Sequence, residues 1–220
     1  MEIIENAHRA RLGERHARRQ SSAFAKRAFD LVSATCGLLL LSPLMLIIAV
    51  LIKLNSPGPA FYRGVRVGLH GRLFRIFKFR TMRPDAERVG GTATSRRDPR
   101  VTPIGQWLRV AKLDELPQLL NVILGEMSIV GPRPEVEEHT ACYTEEEKII
   151  LSVKPGITDE ASIRFYNLSE LLDSEEPTQL FVAKYRPEKN KLRMQYVREQ
   201  SFVGDLRLIF RTFFRLVVRD

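Results

Sequence analysis

The sequence is poor in cysteine and histidine, and neither is arranged for cross-links or for a metal centre. The two cysteines, Cys36 and Cys142, are far apart and form no C-x-x-C pair. Cys36 lies within an apolar segment, so we expect two small buried side chains in a reducing cytoplasm rather than a disulfide. The four histidines show no spacing typical of metal ligands, and none is assigned a role.

Acidic residues are in the minority: 26 Asp and Glu face 35 Lys and Arg, for a formal charge of +9. Such an excess of positive charge suits nucleic acid, anionic lipid or a phosphorylated substrate. Since the sequence has no nucleic-acid motif and its cations cluster beside apolar segments, we expect an anionic membrane as partner and no nucleic acid. Residues 1–22 are polar and rich in arginine, and are interpreted as a basic N-terminal arm, flexible or lying on the membrane surface.

Charge is absent from Leu31 to Ile52. As a straight helix this segment would reach ~33 Å, enough to span a bilayer, and it begins too late for a signal peptide. However, cations flank it on both sides, and Pro43 removes a backbone donor near its centre, where Ser42 can satisfy a freed backbone group. We therefore predict a re-entrant helix over 23–54, broken at Ser42-Pro43, which keeps both ends on the cytoplasmic face. A proline-kinked full span is the alternative.

The remainder, 55–220, is predicted to be one cytoplasmic domain of mixed α/β class, with a small sheet and amphipathic helices around it. The segment "GLHG" (68–71) has β-branched and aromatic residues on both sides and predicts a β-hairpin. Thr102-Pro103 is typical of a helix start, and Gly125 of the end of a helix that runs from about residue 116. "MSIV" (127–130) predicts a short buried strand.

The last segment, "DLRLIFRTFFRLVV", has the pattern of an amphipathic helix. Three arginines repeat every four residues beside an apolar stripe, which is the composition of a helix lying in a membrane interface. An ordinary helix that packs its stripe into the core is the alternative. The stripe consists of Leu206, Ile209, Phe210, Phe213, Phe214 and Val217.

Two interpretations of "KLDELPQLL" (112–120) stay open from the residues alone. In the first, Asp114 is only a helix N-cap and Pro117 is tolerated in the first turn. In the second, a carboxylate held at a helix N-terminus attacks phosphorus and forms an acyl phosphate. Arg133, fixed between two prolines in "GPRP", could then grip phosphate oxygens with both of its guanidinium nitrogens.

Several ordered motifs together resemble one bacterial family. They are "KRAFDL", the apolar run with its central "SP", "SPGPAFYRGVRVGLHG", "FKFRTM", "DPRVTPIGQWLRVAKLDELPQLLNVILGEMSIVGPRPE" and "KPGIT", densely covering about residues 25 to 160. This pattern resembles the bacterial sugar transferases known as monotopic phosphoglycosyl transferases. The resemblance implies Mg²⁺-dependent transfer of a sugar-1-phosphate from a UDP-sugar to undecaprenyl phosphate at the cytoplasmic face of the inner membrane, with release of UMP. Such transfer initiates capsule, O-antigen, exopolysaccharide or glycoprotein glycan synthesis.

By the same resemblance, Asp114 and Glu115 are the catalytic dyad. Asp114 would form a phosphosugar-aspartyl intermediate and contact Mg²⁺, and Glu115 would assist its ionisation or organise the site. Four cations match basic positions of the family and are expected to bind substrate: Lys78, Arg80, Arg109 and Arg133.

The sequence departs from the family pattern at two places near the expected site. Lys112 stands where serine or threonine is usual, and "PGITDEASIRFYN" (155–167) is divergent, so Arg164 is a substitute contact there. That stretch is linked to nucleotide and sugar recognition, so the sugar and the pathway are not carried over. We allow for a homodimer, and a noncatalytic, basic, membrane-tethered scaffold is the competing function.

Overall fold

The computed structural model of the protein describes residues 2–84, 86, 98–172 and 177–218, with side chains from residue 23 onward apart from 169, 170, 177 and 217. The chain begins with a long helix, α1, over Glu2–Asn55. The arm predicted over 1–22 is therefore helical from Glu2 onward and continuous with the apolar segment. In the described part of the chain, only the Ala23–Asn55 part of α1 is long and apolar enough to cross a membrane by length and composition.

Helix α1 continues through Pro43, so the interruption predicted at Ser42-Pro43 is not observed. The carbonyl oxygen of Leu39 would normally accept from the amide of residue 43, which proline lacks. Instead, the Ser42 hydroxyl donates to Leu39 O at 2.8 Å. This confirms that Ser42 satisfies the freed carbonyl, and it explains how the helix passes the proline without an unpaired backbone group.

Short strands and helices follow α1. The strands are β1 (Phe61–Tyr62), β2 (Val65–Val67), β3 (Leu73–Arg75), β4 (Lys78–Phe79), β5 (Ser128–Val130) and β6 (Gly156–Thr158). The helices are α2 (Pro103–Val110), α3 (Gln118–Leu124), α4 (Glu137–Thr140), α5 (Glu160–Arg164), α6 (Leu168–Leu171), α7 (Pro177–Leu180), α8 (Arg186–Glu199) and α9 (Phe202–Val217). The mixed α/β class is confirmed.

Three pairs of strands form among the described residues. Strands β2 and β3 are antiparallel and joined by the "GLHG" segment, which confirms the predicted hairpin. Strand β1 pairs with β4 in antiparallel fashion, and β5 pairs with β6 in parallel fashion. Strand β5 is the strand predicted from "MSIV".

The predicted start of α2 and the predicted end of α3 are confirmed by their caps. The hydroxyl oxygen of Thr102 accepts a hydrogen bond from Gly105 N at 3.0 Å, and Pro103 occupies the first position of α2. Gly125 ends α3 with φ of 83°, a left-handed conformation that glycine adopts without strain. Local sequence is sufficient at these positions because a cap is made by neighbouring residues.

One face of α1 is part of the domain core at two places along its length. Ala34 packs with a cluster on β3, α3 and β5, while Ile48 and Ile52 pack with Phe79 and Leu108. Near the N-terminal side of the apolar segment, polar contacts add to the packing. Arg27 donates to the carbonyls of Val122 (2.7 Å) and Ile123 (3.1 Å), Asp30 accepts from Ile129 N (3.0 Å), and Lys26 donates to Val130 O (3.0 Å).

The opposite face of α1 is exposed, with Leu39, Leu40, Leu46, Ile47 and Leu54 in contact with no core cluster. Cys36 is also exposed there, and Cys142 is exposed on the loop after α4, so the expectation of two buried cysteines is wrong. The reason is that Cys36 lies on the face of α1 turned away from the core and Cys142 lies on a surface loop, which composition alone does not reveal. Both are free thiols, as expected.

Helix α9 turns its apolar stripe outward. Phe210 is 71% exposed, and Phe213 and Phe214 are similarly open. The face that packs inward carries Asp205, Leu208 and Thr212, whose hydroxyl lies 2.7 Å from that of Thr158 on β6. The alternative of a stripe packed into the core is therefore wrong for α9, and the exposed faces of α9 and α1 are both strongly apolar.

Candidate active site

The Asp-Glu pair lies in a tight turn between α2 and α3. After α2 the chain passes through Lys112, which has the left-handed backbone conformation φ 56°, ψ 18°, and then forms a 3-10 turn over Leu113–Glu115. Helix α3 has Pro117 at its N-cap and no side-chain cap. The interpretation of Asp114 as a helix cap is therefore wrong: it lies inside the turn, too early to reach the first amides of α3.

Glu115 is held by two cations. Lys78 Nζ donates to Glu115 Oε1 at 2.9 Å, Arg133 Nη1 donates to Oε2 at 2.9 Å, and Arg133 Nη2 donates to Oε1. Burial by itself raises the pKa of Glu115, but the charges and hydrogen bonds of Arg133 and Lys78 outweigh it and hold the pKa well below its usual range. Burial, the lowered pKa and the bound cations together make Glu115 the anion that orients Arg133 and Lys78.

Asp114 is different, although it is adjacent in sequence. Its side chain is only 7% exposed, and among the described residues it takes part in no hydrogen bond or ion pair. Burial and the negative charge of Glu115 raise its pKa, while Lys78, Arg109 and Arg133 oppose the shift. The result is a carboxylate that is more basic than usual, surrounded by positive charge and not engaged by any of it. These are the properties of an available nucleophile.

Arg109 is placed beside the pair by α2. Its Nε donates to Thr81 Oγ1 at 2.8 Å, and Thr81 in turn accepts from the amide of Thr102 at the start of α2. Burial lowers the pKa of the Arg109 guanidinium, and the nearby Asp114 and Asp98 carboxylates oppose that change. Of the predicted residues, the fold therefore brings together Asp114, Glu115, Lys78, Arg133 and Arg109.

Two predicted substrate contacts lie elsewhere. Arg80 is buried and donates to the carbonyls of Pro57 (2.7 Å) and Ser56 (2.8 Å) and to the Ser56 hydroxyl (2.9 Å), so it holds the chain as it leaves α1. Arg164 is exposed at the end of α5, and within the described ranges no hydrogen bond or ion pair joins it to the cluster.

The structure also reveals residues that sequence reasoning missed. The backbone amide of Arg133 donates to Asp159 Oδ2 at 3.0 Å, and Asp159 is fixed by Ser162 N at 2.6 Å and by Arg193 Nε at 3.4 Å. Arg193, on α8, is buried and also donates to Glu135. The Asp159 cap of α5 could have been predicted from its place before the helix, but no local signal marks Arg193, which lies 60 positions after Arg133 (193 − 133).

A divalent cation fits Asp114 better than Glu115. No group of three or more His, Cys, Asp or Glu side chains suited to a metal occurs in the described part of the chain. The oxygens of Glu115 are already bound to Arg133 and Lys78, whereas the Asp114 carboxylate is free of such partners. Mg²⁺ commonly binds through one or two carboxylates together with substrate phosphates. One unpaired carboxylate at a cationic site meets that requirement.

A buried, unpaired carboxylate among fixed cations defines a site suited to the chemistry of phosphate esters, set in a domain with two exposed apolar helix faces. Comparison with known proteins identifies the protein family of this chain. The family model described as bacterial sugar transferase matches residues 21–219, and the chain belongs to that family. The predicted family and the predicted class of enzyme, a sugar-phosphate transferase, are thereby confirmed.

Curated relatives agree with this assignment. The chain is 39% identical over 194 residues to the UDP-glucose:undecaprenyl-phosphate glucose-1-phosphate transferase of Escherichia coli K12, covering 86% of this chain and 39% of that protein. It is 38% identical over 214 residues to the exopolysaccharide production protein ExoY of Rhizobium meliloti, and the match covers 90% of this chain and 88% of that protein. A putative undecaprenyl-phosphate N-acetylgalactosaminyl 1-phosphate transferase of Bacillus subtilis is 42% identical over 132 residues, and the match covers 60% of this chain and 72% of that protein.

Proposed function

We propose that the protein transfers a sugar-1-phosphate from a UDP-sugar to undecaprenyl phosphate and releases UMP, as an initiating step of a bacterial polysaccharide or glycoconjugate. The observation that carries the proposal is the contrast within the dyad. Glu115 is bound by Arg133 and Lys78, whereas Asp114 is buried and unpaired at the same site. The names of the family and of several relatives support the same substrates.

In the first half-reaction, a carboxylate oxygen of Asp114 forms a bond to the β-phosphorus of the UDP-sugar. The bond from that phosphorus to the bridging oxygen breaks, and UMP leaves with the electron pair. In the second, an oxygen of undecaprenyl phosphate attacks the same phosphorus, the bond to Asp114 breaks, and the carboxylate is regenerated. Dividing the transfer in this way allows a soluble donor and a membrane-bound acceptor to use one site in turn.

The raised pKa of Asp114 favours the first step, because a more basic carboxylate is the better nucleophile. Three cations, Lys78, Arg109 and Arg133, oppose the effect of burial on this pKa. Arg133 and Lys78 are held in place by Glu115, so they are available to stabilise charge at the phosphates without prior rearrangement. Glu115 is assigned the role of orienting these cations.

Mg²⁺, when bound through Asp114 and the substrate phosphates, would supply Lewis-acid stabilisation of the developing charge. This assignment predicts that chelation abolishes activity and that restoring Mg²⁺ recovers it. Unchanged UMP release in excess chelator would contradict the assignment.

We further propose that both ends of the apolar part of α1 lie on the cytoplasmic face, together with the active site. Both ends of the apolar part of α1 pack on the same domain: Lys26 at β5 and α9, and Ile52 at Phe79 and α2. A helix crossing the bilayer would separate those ends by the thickness of the membrane. Ready labelling of the N-terminus from outside intact cells would refute this topology.

The decisive test is a transferase assay with purified protein, Mg²⁺, undecaprenyl phosphate and a panel of UDP-sugars. UDP-glucose and UDP-N-acetylgalactosamine come first, because glucose and N-acetylgalactosamine occur in the names of relatives. We expect UMP release with at least one donor, and a phosphosugar on the Asp114 peptide when the lipid is left out. If no donor gives UMP, the competing function, a noncatalytic membrane scaffold, is favoured.

A further inference from the structure

Three side chains form a stack beside the dyad. Tyr166 follows α5, in the divergent stretch of the sequence, and its ring is in contact with two cations. Lys112 Nζ is 4.9 Å from the ring centroid, and Arg215 Cζ is 5.6 Å from it. Both distances are within the range of a cation–π contact. The stack therefore joins the turn that carries Asp114 to helix α9, whose apolar stripe is exposed.

Lys112 has a backbone conformation that a lysine seldom adopts. It follows the end of α2, where its amide donates to Arg109 O at 3.2 Å, with φ of 56°. Glycine or asparagine is usual at such a helix end, because a side chain with a Cβ is disfavoured at positive φ. Besides Lys112, the only non-glycine residue of the described chain with positive φ is His70. Strained residues at a candidate site point to a role for the side chain.

The charges around the dyad show what that role could be. The pair of Lys78 and Arg133 is bound to Glu115, and Arg109 donates to Thr81. Lys112 is exposed, and within the described ranges neither Lys112 nor Arg215 has a carboxylate partner. The two cations on Tyr166 can therefore take a new anion without breaking an existing ion pair.

Lys112 is also next to the dyad. It directly precedes the 3-10 turn over Leu113–Glu115, so its backbone is two residues from that of Asp114.

We propose that Lys112 and Arg215, both in contact with the ring of Tyr166, form a phosphate-binding site for a substrate of the transfer reaction. This inference rests on the proposed function and deepens it. The phosphate could belong to the UDP-sugar or to undecaprenyl phosphate. Arg215 lies on α9, the helix whose apolar stripe is exposed. Recognition in either case is by a charge-assisted hydrogen bond from the ammonium and guanidinium to phosphate oxygens.

The competing explanation is that the stack only fastens the segment after α5 to the catalytic turn. Lys112→Gly separates the two explanations, because glycine relieves the positive φ while it removes the cation. We expect this variant to melt at the wild-type temperature or above and to lose about 10- to 100-fold in kcat/KM, the range for a lost hydrogen bond to a charged group. Lys184→Met is the matched control: Lys184 is 5.3 Å from Tyr185 and outside the cluster, so activity should not change.

The two half-reactions identify the source of the phosphate. UMP release is measured with UDP-glucose alone, and transfer is measured from the preformed phosphosugar-enzyme to undecaprenyl phosphate. If Lys112→Gly slows only UMP release, the site binds a phosphate of the UDP-sugar. If it slows only the transfer to the lipid, the site binds the phosphate of undecaprenyl phosphate. If it slows both, the two substrates share the site. Normal rates in both assays would overturn the proposal.

Chemical protection tests the site without relying on activity. Lys112 is acetylated with an amine-reactive reagent, and peptide mass spectrometry follows the rate with UDP-glucose, with undecaprenyl phosphate in micelles, or with neither. We expect one ligand to slow the labelling of Lys112 but not that of exposed Lys191. Equal labelling throughout, in protein that releases UMP, overturns the phosphate site and leaves the proposed function intact. Absence of UMP release from wild-type protein counts instead against the proposed function.

The tyrosine and the arginine have their own variants. Tyr166→Leu removes the ring that both cations contact and should raise KM. Arg215→Gln should reproduce part of the Lys112→Gly defect in the same half-reaction. A defect in the other half-reaction would contradict a single site.

Discussion

Glu115→Gln tests the electrostatic arrangement of the site most directly. In the wild-type protein the Glu115 carboxylate is bound by both nitrogens of the Arg133 guanidinium and by Lys78 at 2.9 Å. The substitution leaves two cations without their anion in a largely buried place. Breaking a buried ion pair in this way typically costs 3–5 kcal/mol, about as large as single-residue effects become.

The magnitude expected here is smaller, because the pair is not fully enclosed. The side chain of Glu115 is 15% exposed and that of Arg133 is 32% exposed, so solvent screens part of the interaction. We expect a loss of about 2–3 kcal/mol in the free energy of unfolding. For a chain of this length that corresponds to a melting temperature lower by roughly 4–12 °C.

A double-mutant cycle measured by thermal or denaturant unfolding in detergent isolates the pair. Glu115→Gln, Arg133→Gln and the double variant should give a coupling energy of about 1–3 kcal/mol. Lys148 and Glu145 provide the control, since their 2.6 Å pair is solvent-exposed and should give less than about 0.5 kcal/mol. A coupling at Glu115 no larger than this control would refute the arrangement described above.

The pH dependence of the same variant has a defined sign. Arg133 and Lys78 hold the folded-state pKa of Glu115 well below its unfolded value, near 4.3. Its stabilisation is therefore fully present above that unfolded pKa and is lost as the pH falls toward the folded pKa. Stability of the wild type should fall below about pH 5 more steeply than that of Glu115→Gln. Parallel curves would show that Glu115 is not held as an anion.

Three further predictions address the rest of the site. Asp114→Asn should abolish UMP release and raise the melting temperature at pH 7, because an acid with a raised folded-state pKa costs stability once it ionises; normal activity would rule out Asp114 as the nucleophile. Arg80→Gln should lower the melting temperature by removing three hydrogen bonds at the end of α1, while the KM of the folded fraction stays at its wild-type value; an increased KM at unchanged stability would restore Arg80 as a substrate contact. Arg193→Met should lower kcat, because Arg193 holds Asp159 and Asp159 in turn holds the backbone of Arg133. Asp159→Asn should give a similar defect, and the double variant should lose no more than either single variant. Additive losses in kcat would mean that the two residues act separately.

Local structure could be predicted from the sequence because its causes are local. The β2–β3 hairpin, the Thr102-Pro103 start of α2 and the Gly125 end of α3 each depend on residues within a few positions of one another. The same holds for Ser42, whose hydroxyl replaces the amide that Pro43 lacks. The prediction that Asp114 and Glu115 form the catalytic dyad also came from the sequence, through a family resemblance carried by a long continuous motif.

The tertiary structure decided which charged groups meet. Lys78 and Arg80 are two residues apart, yet Lys78 binds Glu115 and Arg80 binds the carbonyls after α1. Asp114 and Glu115 are adjacent, yet among the described residues Glu115 is paired and Asp114 is not. Such differences depend on the direction of each side chain in a packed core and on partners far away in the chain, which spacing does not specify.

The direction in which the apolar stripe of α9 faces could likewise not be predicted from the sequence. The pattern of α9 showed an apolar stripe, but whether the stripe packs inward depends on what other elements have already filled the core. In the fold, Leu208 and Thr212 take that place and the phenylalanines remain exposed. The sequence by itself thus determined the local elements and the apolar segment, and it predicted the catalytic pair. Only the folded chain determined which carboxylate is unpaired among the described residues, which cations hold its neighbour and which apolar faces stay exposed, because each of these is settled by contacts between distant segments.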